Sequence, residues 1–300
     1  MRNTMTIAFV LVLTAIGLDA QAKVRVVGTL PDFAAMAAEL GGDRVETASL
    51  IQGTQDPHYV DAKPSLILEV NRADLLVLIG MGLEDGWLPV LLTQSRNGAI
   101  QPGAVGYLDA SSVVTAKDVE ARPDRRMGDI HGQGNPHYYT GPEELYRVAR
   151  AIHDKLVVID PEGQNVYDSR WKRFEETYRK KSVEWKKRIE PLKGTRVVEY
   201  HKSWIYLLDW LRFEAAGALE PLPGIPPSPS HVSRLLGQVR QQGVKFVFQE
   251  IYHPQRLSRL FAEKSGAKLL VMPSMVGAEH GIKTIWDKFD RIVDLLTQPK

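Results

Sequence analysis

The sequence predicts an α/β protein of two similar lobes with parallel sheets, joined by one long rigid helix. Short runs of β-branched and aliphatic residues alternate with helical patterns on both sides of residues 160–192, and this alternation favours parallel sheets. The segment between them is instead a single charged helical pattern. A chain of 300 residues is long enough for two lobes that each bury a core.

The first lobe is predicted over residues 23–159. Its predicted strands are KVRVVGT, RVETASLI, ADLLVLIG and AVGYLDAS. The predicted helices are PDFAAMAAEL, KPSLILEVN, LEDGWLPVLLTQ and a last one from about Glu143 to Leu156. A loop rich in glycine, proline and arginine precedes that last helix.

Residues 160–192 predict the connecting helix. Asp160 is the predicted N-cap, Pro161 fits the first helical position, and Pro191 ends the segment. One apolar stripe runs along this helix, formed by Tyr167, Trp171, Phe174, Tyr178, Trp185 and Ile189. The other faces are dense in Lys, Arg and Glu, and we interpret the basic run Arg179–Lys181 as a solvated face. The segment is therefore interpreted as a stiff, half-exposed spine.

The second lobe is predicted over residues 193–300, where the alternation resumes. Its predicted strands are TRVVEY, FEAAGAL, VKFVFQE and AKLLVMP. The helices are predicted at SWIYLLDWL, SHVSRLLGQVRQQ, QRLSRLFAEKS and TIWDKFDRIVDLL. The proline-rich stretch PLPGIPPSPS is interpreted as an ordered, extended connection inside this lobe.

The first 22 residues predict a cleavable signal peptide. Arg2 supplies a positive charge, Met5 to Leu18 is apolar, and Ala20-Gln21-Ala22 fits a small-residue cleavage site. The apolar stretch is short for the alternative, a membrane anchor. Cysteine is absent, which excludes disulfides, thiolate metal ligands and a lipidated cysteine. The small formal net charge of +2 speaks against nucleic acid as a partner. We therefore expect a soluble protein of the periplasm.

Three histidines follow predicted strands. His58 lies in QDPHYVDAKPS, His137 in GNPHYYTGPEE, and His201 directly after the strand VVEY. In open α/β sheets, ligands collect at the carboxyl ends of strands, so these side chains should meet in the cleft between the lobes. Three imidazoles are the kind of donor set that Zn²⁺ accepts. The sequence thus predicts a metal site in the interlobe cleft.

An oxygen ligand is also expected. Glu250 ends the strand VKFVFQE at the same edge and is the predicted fourth ligand, with Glu279 and Asp287 as other oxygen donors. Three of the other histidines, His153, His253 and His280, are interpreted as ordinary surface residues.

The motifs DPHYVDAKPS, NPHYYTGPE and EYHKSW, with a long helix between the second and third, resemble those of one known family. This family is the periplasmic zinc-binding solute-binding proteins of metal ABC importers (cluster A-I). The resemblance covers essentially the whole mature chain. It implies two metal-binding histidines from the first lobe and one from the second, which His58, His137 and His201 match. Members that carry manganese tend to have a carboxylate at the third position, so His201 favours zinc.

Three departures from the family pattern stand out. A long His/Asp-rich loop is reduced to HGQGNPH, with His131 as its single histidine. Ser274 stands where an aspartate ligand is expected, and Asn135 and Gly141 stand where aspartates are common. The missing aspartate leaves the fourth ligand open between Glu250, a water and the Glu279–His280 loop.

The resemblance implies a monomeric, non-catalytic protein that captures Zn²⁺ as cargo and delivers it to a membrane permease with its ATPase. One alternative is a manganese or iron importer component. Another is a zinc-dependent hydrolase with Glu250 as general base, although no HExxH or GxSxG motif is present. A surface adhesin is a third, for which no adhesive surface is apparent.

Overall fold

The computed structural model describes residues 22–119, 131–222 and 224–298, so the predicted signal peptide lies outside the described residues except for Ala22. Two parallel four-stranded sheets organise the chain. The first sheet has the order β2-β1-β3-β4 and comprises β1 (Val24–Gly28), β2 (Val45–Ser49), β3 (Leu75–Leu78) and β4 (Tyr107–Asp109). The second has the order β6-β5-β7-β8 and comprises β5 (Arg196–Glu199), β6 (Glu214–Ala218), β7 (Phe246–Glu250) and β8 (Lys268–Met272).

Helices cover both sheets. Those of the first lobe are α1 (Pro31–Gly41), α2 (Pro64–Asn71), α3 (Leu88–Ser95) and α4 (Pro142–Ile159). The long helix α5 (Gln164–Ile189) leads to the helices of the second lobe, α6 (Ile205–Leu211), α7 (Pro229–Arg240), α8 (Gln255–Ser265) and α9 (Ile285–Thr297). The strand order is the same in the two lobes, which confirms the predicted pair of parallel α/β lobes. No helix among these described residues has the length and apolar character needed to cross a membrane.

The predicted connecting helix is present but begins and ends within the predicted bounds. The 26 residues of α5 span about 39 Å, and a 3₁₀ turn flanks each end, Pro161–Gly163 and Glu190–Leu192. The predicted apolar stripe is buried, with Tyr178 only partly so. The prediction that the Asp160 side chain caps the helix is wrong. Its carboxylate instead accepts two bonds from the Arg44 guanidinium, at 2.7 and 2.8 Å, because a bidentate charged pair is stronger than a capping bond.

One hydrophobic core passes through both lobes. It joins Val26 of β1, Trp185 of α5, Phe248 of β7 and Phe289 of α9 in a single cluster. A smaller separate core lies in each lobe, at the opposite face of its sheet. Because the inner core is shared, pulling the lobes widely apart would expose apolar surface to water, which is unfavourable.

Candidate metal centre

The predicted ligands lie where their strands end. His58 follows β2 after a loop, and His201 lies two residues beyond the end of β5. His137 begins a 3₁₀ turn, His137–Thr140, directly before α4. Glu250 is the last residue of β7. Parallel strands bring all of these positions to the carboxyl edges of the two sheets.

The structure brings the three histidines together between the lobes. One ring nitrogen of each lies within 4.8 Å of those of the other two. The ring centroids of His137 and His201 are 4.9 Å apart, and the His58 centroid is 5.1 Å from that of His137 and 5.5 Å from that of His201. His137 and His201 are buried, and His58 is partly buried. A single cation could therefore contact all three rings.

Each ring is fixed through its Nδ1 atom. The Nδ1 of His58 is 2.7 Å from Oδ1 of Asp56, that of His137 is 2.9 Å from Oδ1 of Asn135, and that of His201 is 2.7 Å from Oε2 of Glu220. Since these oxygens accept hydrogen bonds, the proton of each neutral imidazole stays on Nδ1. The Nε2 lone pairs remain for a metal. Outer hydrogen bonds of this kind orient metal-binding histidines in proteins.

The surroundings of the Nε2 atoms are compatible with metal binding. Those of His58 and His137 are buried and have no hydrogen-bond partner among the described residues. Buried polar atoms normally have a hydrogen-bond partner, and a metal ion bound to these nitrogens would satisfy them instead. Burial, aided by the neighbouring imidazoles, lowers the pKa of His137 well below its ordinary value of 6.5. This ring is therefore neutral, as a metal ligand must be.

Asn135 connects the two lobes at this site. Its Oδ1 accepts from both the backbone N–H and the Nδ1 of His137, at 3.0 and 2.9 Å. Its Nδ2 donates to the backbone carbonyl of Lys202 at 2.7 Å, next to His201. A backbone N–H can only donate and a carbonyl can only accept, so the orientation of the amide is fixed. An aspartate could not make the bond to Lys202, which gives the departure at position 135 a physical meaning.

Glu250 lies outside the group of three histidines. It is fully buried, and neither carboxylate oxygen has a hydrogen-bond partner in the described part of the chain. Burial raises its pKa to about 8. Its Oε2 lies 3.6 Å from Nε2 of His253. The role of Glu250 as the fourth ligand stays a prediction.

The other predicted oxygen donors have different roles. Glu279 accepts a hydrogen bond from Arg291 at 2.8 Å. Asp287 closes the capping box of α9 with Thr284. Ser274, which stands at the position of the expected aspartate, is fully buried. Because Glu279 and Asp287 are engaged with cationic or backbone groups, neither is directed to the three histidines.

Two histidines that the sequence assigns to the surface are covered by neighbouring residues: His153 is buried and His253 is half-buried. His153 of α4 lies between Asp154 and Asp168, with ring nitrogens 2.9 and 3.0 Å from their carboxylates. His253 packs on Tyr200 with ring centroids 4.4 Å apart, and its centroid is 6.2 Å from that of His201. The surface interpretation of both is wrong, since neighbouring helices and loops cover them.

His131, the single histidine left in the shortened loop, also approaches the site. Its ring centroid is 5.6 Å from that of His58 and 6.5 Å from that of His137. It does not belong to the group of three whose nitrogens converge. A cavity of about 180 Å³ opens beside the group, lined by Asp56, His58, Tyr59, His201, Glu220, Gly224 and His253.

Sequence reasoning missed the residues that orient the rings. Asp56 and Asn135 each stand two positions before a ligand, in the repeated patterns Asp-Pro-His and Asn-Pro-His. That repetition was a usable signal. No comparable sequence signal marks Glu220, because the pairing of β5 with β6 alone brings it close to His201.

Comparison with known proteins extends this picture. The family model described as zinc-uptake complex component A, periplasmic, matches residues 26–298. The manganese ABC transporter substrate-binding lipoprotein PsaA of Streptococcus pneumoniae is 24% identical over 233 residues, covering 76% of this chain and 72% of its own. The high-affinity zinc uptake system protein ZnuA of Yersinia pestis is 22% identical over 245 residues, covering 76% of each.

A solved structure shares the fold. The zinc-bound form of a ZnuA with residues 138–173 deleted matches with a TM-score of 0.76 at 21% identity, over 92% of this chain and all of the other. The relatives are substrate-binding components of metal importers rather than enzymes, so the hydrolase alternative is set aside. Since the family model spans nearly the whole described chain, the protein belongs to the zinc-uptake complex component A family, the substrate-binding proteins of metal ABC importers.

Proposed function

We propose that this protein captures Zn²⁺ in the periplasm and delivers it to the permease of an ABC importer. The observation that carries the proposal is the convergence of three histidine nitrogens within 4.8 Å, each on a ring held through Nδ1. Zn²⁺ is the cargo, bound by His58, His137 and His201. A fourth position is completed by Glu250 or by a water.

The donor set supports zinc over manganese. Imidazole nitrogen suits Zn²⁺, whereas Mn²⁺ favours carboxylate and water oxygen. The carboxylates Asp56 and Glu220 bond to Nδ1 atoms of two histidines, which makes them partners of the ligands. Both manganese and zinc importers occur among the relatives, so the metal must be identified by experiment.

Location and partners follow from the same assignment. The signal peptide predicted over residues 1–22 directs the chain to the periplasm, where it acts as a soluble monomer. Its partners are the permease and, through the permease, the ATPase of the importer.

The test is the variant His137→Ala. Removing one of three nitrogen donors should weaken zinc binding at least a hundredfold while leaving the fold intact. Chelator-competition titration gives the Kd, and elemental analysis gives the stoichiometry. His280→Ala is the matched control, because His280 is exposed and is not one of the three converging histidines; it should bind zinc like the wild type.

Two experimental outcomes would contradict the proposal. Unchanged zinc stoichiometry and affinity in His137→Ala would reject the assigned site. Equal displacement of bound zinc by manganese or iron at equal concentration would reject the preference for zinc and favour the alternative importer component.

A further inference from the structure

A complete ion pair is buried between the lobes. Lys288 of α9 and Asp32 of α1 are each 0% exposed. The Nζ of Lys288 donates to Oδ1 of Asp32 at 2.5 Å and to the backbone carbonyls of Tyr139 at 2.8 Å and Ser274 at 3.4 Å. All three ammonium hydrogens thus have an acceptor. We call Asp32 and Lys288 the interlobe ion pair.

The partners of this pair belong to different parts of the molecule. Asp32 stands in the first turn of α1, in the first lobe, and its Oδ2 accepts from the backbone N–H of Val276 at 3.0 Å. Val276 and Ser274 follow β8 in the second lobe. Tyr139 is in the 3₁₀ turn that begins with His137. The pair therefore ties both lobes to the turn that carries one of the three converging histidines.

This turn is short, so its parts move together. The hydroxyl of Thr140 lies 2.8 Å from the carbonyl of His137 and 3.1 Å from that of Ser203, and the N–H of Gly141 donates to the carbonyl of Tyr138. The rings of His137 and Tyr139 are in contact, with centroids 5.8 Å apart. A displacement of the Tyr139 carbonyl therefore displaces the imidazole of His137.

Stability alone does not explain such a pair. Removing two charges from water is expensive, and apolar residues of similar volume often serve a core as well or better. An ion pair instead fixes the relative orientation of the groups that its hydrogen bonds join.

We propose that Asp32 and Lys288 are positioning residues for metal capture. They hold the His137–Thr140 turn against both lobes, so that Nε2 of His137 faces the nitrogens of His58 and His201 before the metal arrives. This inference rests on the proposed function, since it concerns the same site.

The main experiment compares the double variant Asp32→Leu/Lys288→Met with the wild type. Replacing both partners avoids an unpaired buried charge. Loss of outer positioning groups costs metal sites about ten- to a hundredfold in affinity, so we expect the zinc Kd to rise at least tenfold. The visible absorption spectrum of the Co²⁺-loaded protein should also change, because it reports coordination geometry.

Lys181→Met is the matched control. Lys181 of α5 pairs with Asp290 at 2.5 Å, and Asp290 lies on α9, the helix that also carries Lys288. In the variant, Asp290 would still accept the hydrogen bond from Nε1 of Trp185. Lys181 pairs with Asp290 and not with the His137–Thr140 turn. This variant should keep the wild-type zinc Kd and Co²⁺ spectrum, even if its unfolding midpoint falls.

A second variant tests the same inference if the double variant does not fold. Asp32→Asn keeps the shape of the side chain but has a single acceptor oxygen, so it loses either the bond from Lys288 or the bond from the Val276 N–H. Its zinc Kd should rise severalfold in a folded protein. The inference is overturned if a folded double variant, or Asp32→Asn in its place, matches the wild type in Kd and Co²⁺ spectrum. It is also overturned if Lys181→Met weakens binding equally, since general destabilisation then explains the effect. A failure of the proposed function is distinguishable, because the wild type itself would then bind no Zn²⁺.

Discussion

Glu220 holds the His201 ring at the candidate metal centre through one hydrogen bond. Its Oε2 accepts from Nδ1 of His201 at 2.7 Å and from the backbone N–H of Gly224 at 3.3 Å. It therefore connects the ring to the proline-rich segment that follows β6. Without this acceptor, the ring could rotate, and its proton could move to Nε2 and block the metal.

We expect Glu220→Ala to weaken zinc binding about ten- to a hundredfold. Glu220→Gln should have a smaller effect, because an amide oxygen still accepts the bond from Nδ1. Chelator-competition titration of both variants measures the order. Glu214→Ala is the control, since Glu214 is exposed at the start of β6, the strand that precedes Glu220, and pairs with Arg196. Equal affinities for the Ala variant and the wild type would show that Glu220 does not position the ring.

Two histidines at the site make the stability of the metal-free protein depend on pH. Burial lowers the pKa of His253 to about 4 and that of His137 well below 6.5. In the unfolded chain both return to about 6.5. The unfolded chain therefore binds more protons between about pH 4 and 6.5, and the free energy of unfolding falls as the pH is lowered through that window.

The variant His253→Phe tests this dependence. Phenylalanine can keep the packing on Tyr200 but cannot take up a proton. Between pH 7 and pH 4.5, the metal-free wild type should lose on the order of 2 kcal/mol more stability than the variant. Urea unfolding at several pH values measures both curves. Parallel curves would mean that protonation of His253 is not linked to unfolding.

At the residue scale, the sequence predicts what lies in local motifs. His58 and His137 were recognisable because proline precedes and tyrosine follows each of them, and His201 because a strand precedes it directly. The interlobe ion pair was not predictable, since its members are 256 positions apart and α1 and α9 meet only in the folded molecule. His253 was misassigned for the same reason, because tertiary packing against Tyr200 partly covers it.

Large side chains attach the helix α5 to the second lobe. Trp185 is fully buried and packs near Trp286 and Phe289, with ring centroids 6.5 and 5.4 Å away. Its Nε1 donates to Asp290 of α9 at 2.7 Å. It therefore fixes the connecting helix to the last helix of the second lobe by both apolar contact and hydrogen bonding.

Replacing Trp185 by Ala should lower the free energy of unfolding by about 3–5 kcal/mol, because it leaves a cavity in the shared core. Val183→Ala on the same helix is the control, since Val183 is 70% exposed and should change stability by less than about 0.5 kcal/mol. Urea denaturation compares the two. Similar losses in both variants would contradict the assigned role of Trp185.

At the element scale, periodicity predicted each strand and helix, while tertiary contacts set the ends. The predicted strand ADLLVLIG shortens to Leu75–Leu78, because the residues after it leave the sheet for a turn. The predicted helix LEDGWLPVLLTQ begins only at Leu88, where Pro89 fits the first helical turn. Such boundaries depend on hydrogen bonds that local pattern does not specify.

At the scale of the whole molecule, the two lobes share one hydrophobic core. The inner core takes residues from both sheets and from α5. Bonds such as Asn135 to the Lys202 carbonyl also cross the cleft. Separate domains normally have separate cores, so the lobes here are similar in topology without being independent.

Residues 23–159 produced alone should therefore fail to fold. The fragment would expose apolar faces of α1 and α4 that the intact chain covers with α5 and, for α1, also with α9. Circular dichroism and thermal unfolding of the purified fragment measure this, with residues 23–300 as the control. A cooperative unfolding transition in the fragment would show that the shared core is dispensable for this lobe.

The shared core also limits how such a protein could serve as a fluorescent zinc biosensor. We expect dyes attached to opposite lobes to report little, because the shared core opposes a change in the distance between them. A dye that senses local polarity belongs instead at Tyr59, which is 67% exposed beside His58. The optical signal would then come from a change in surroundings at the mouth of the cleft.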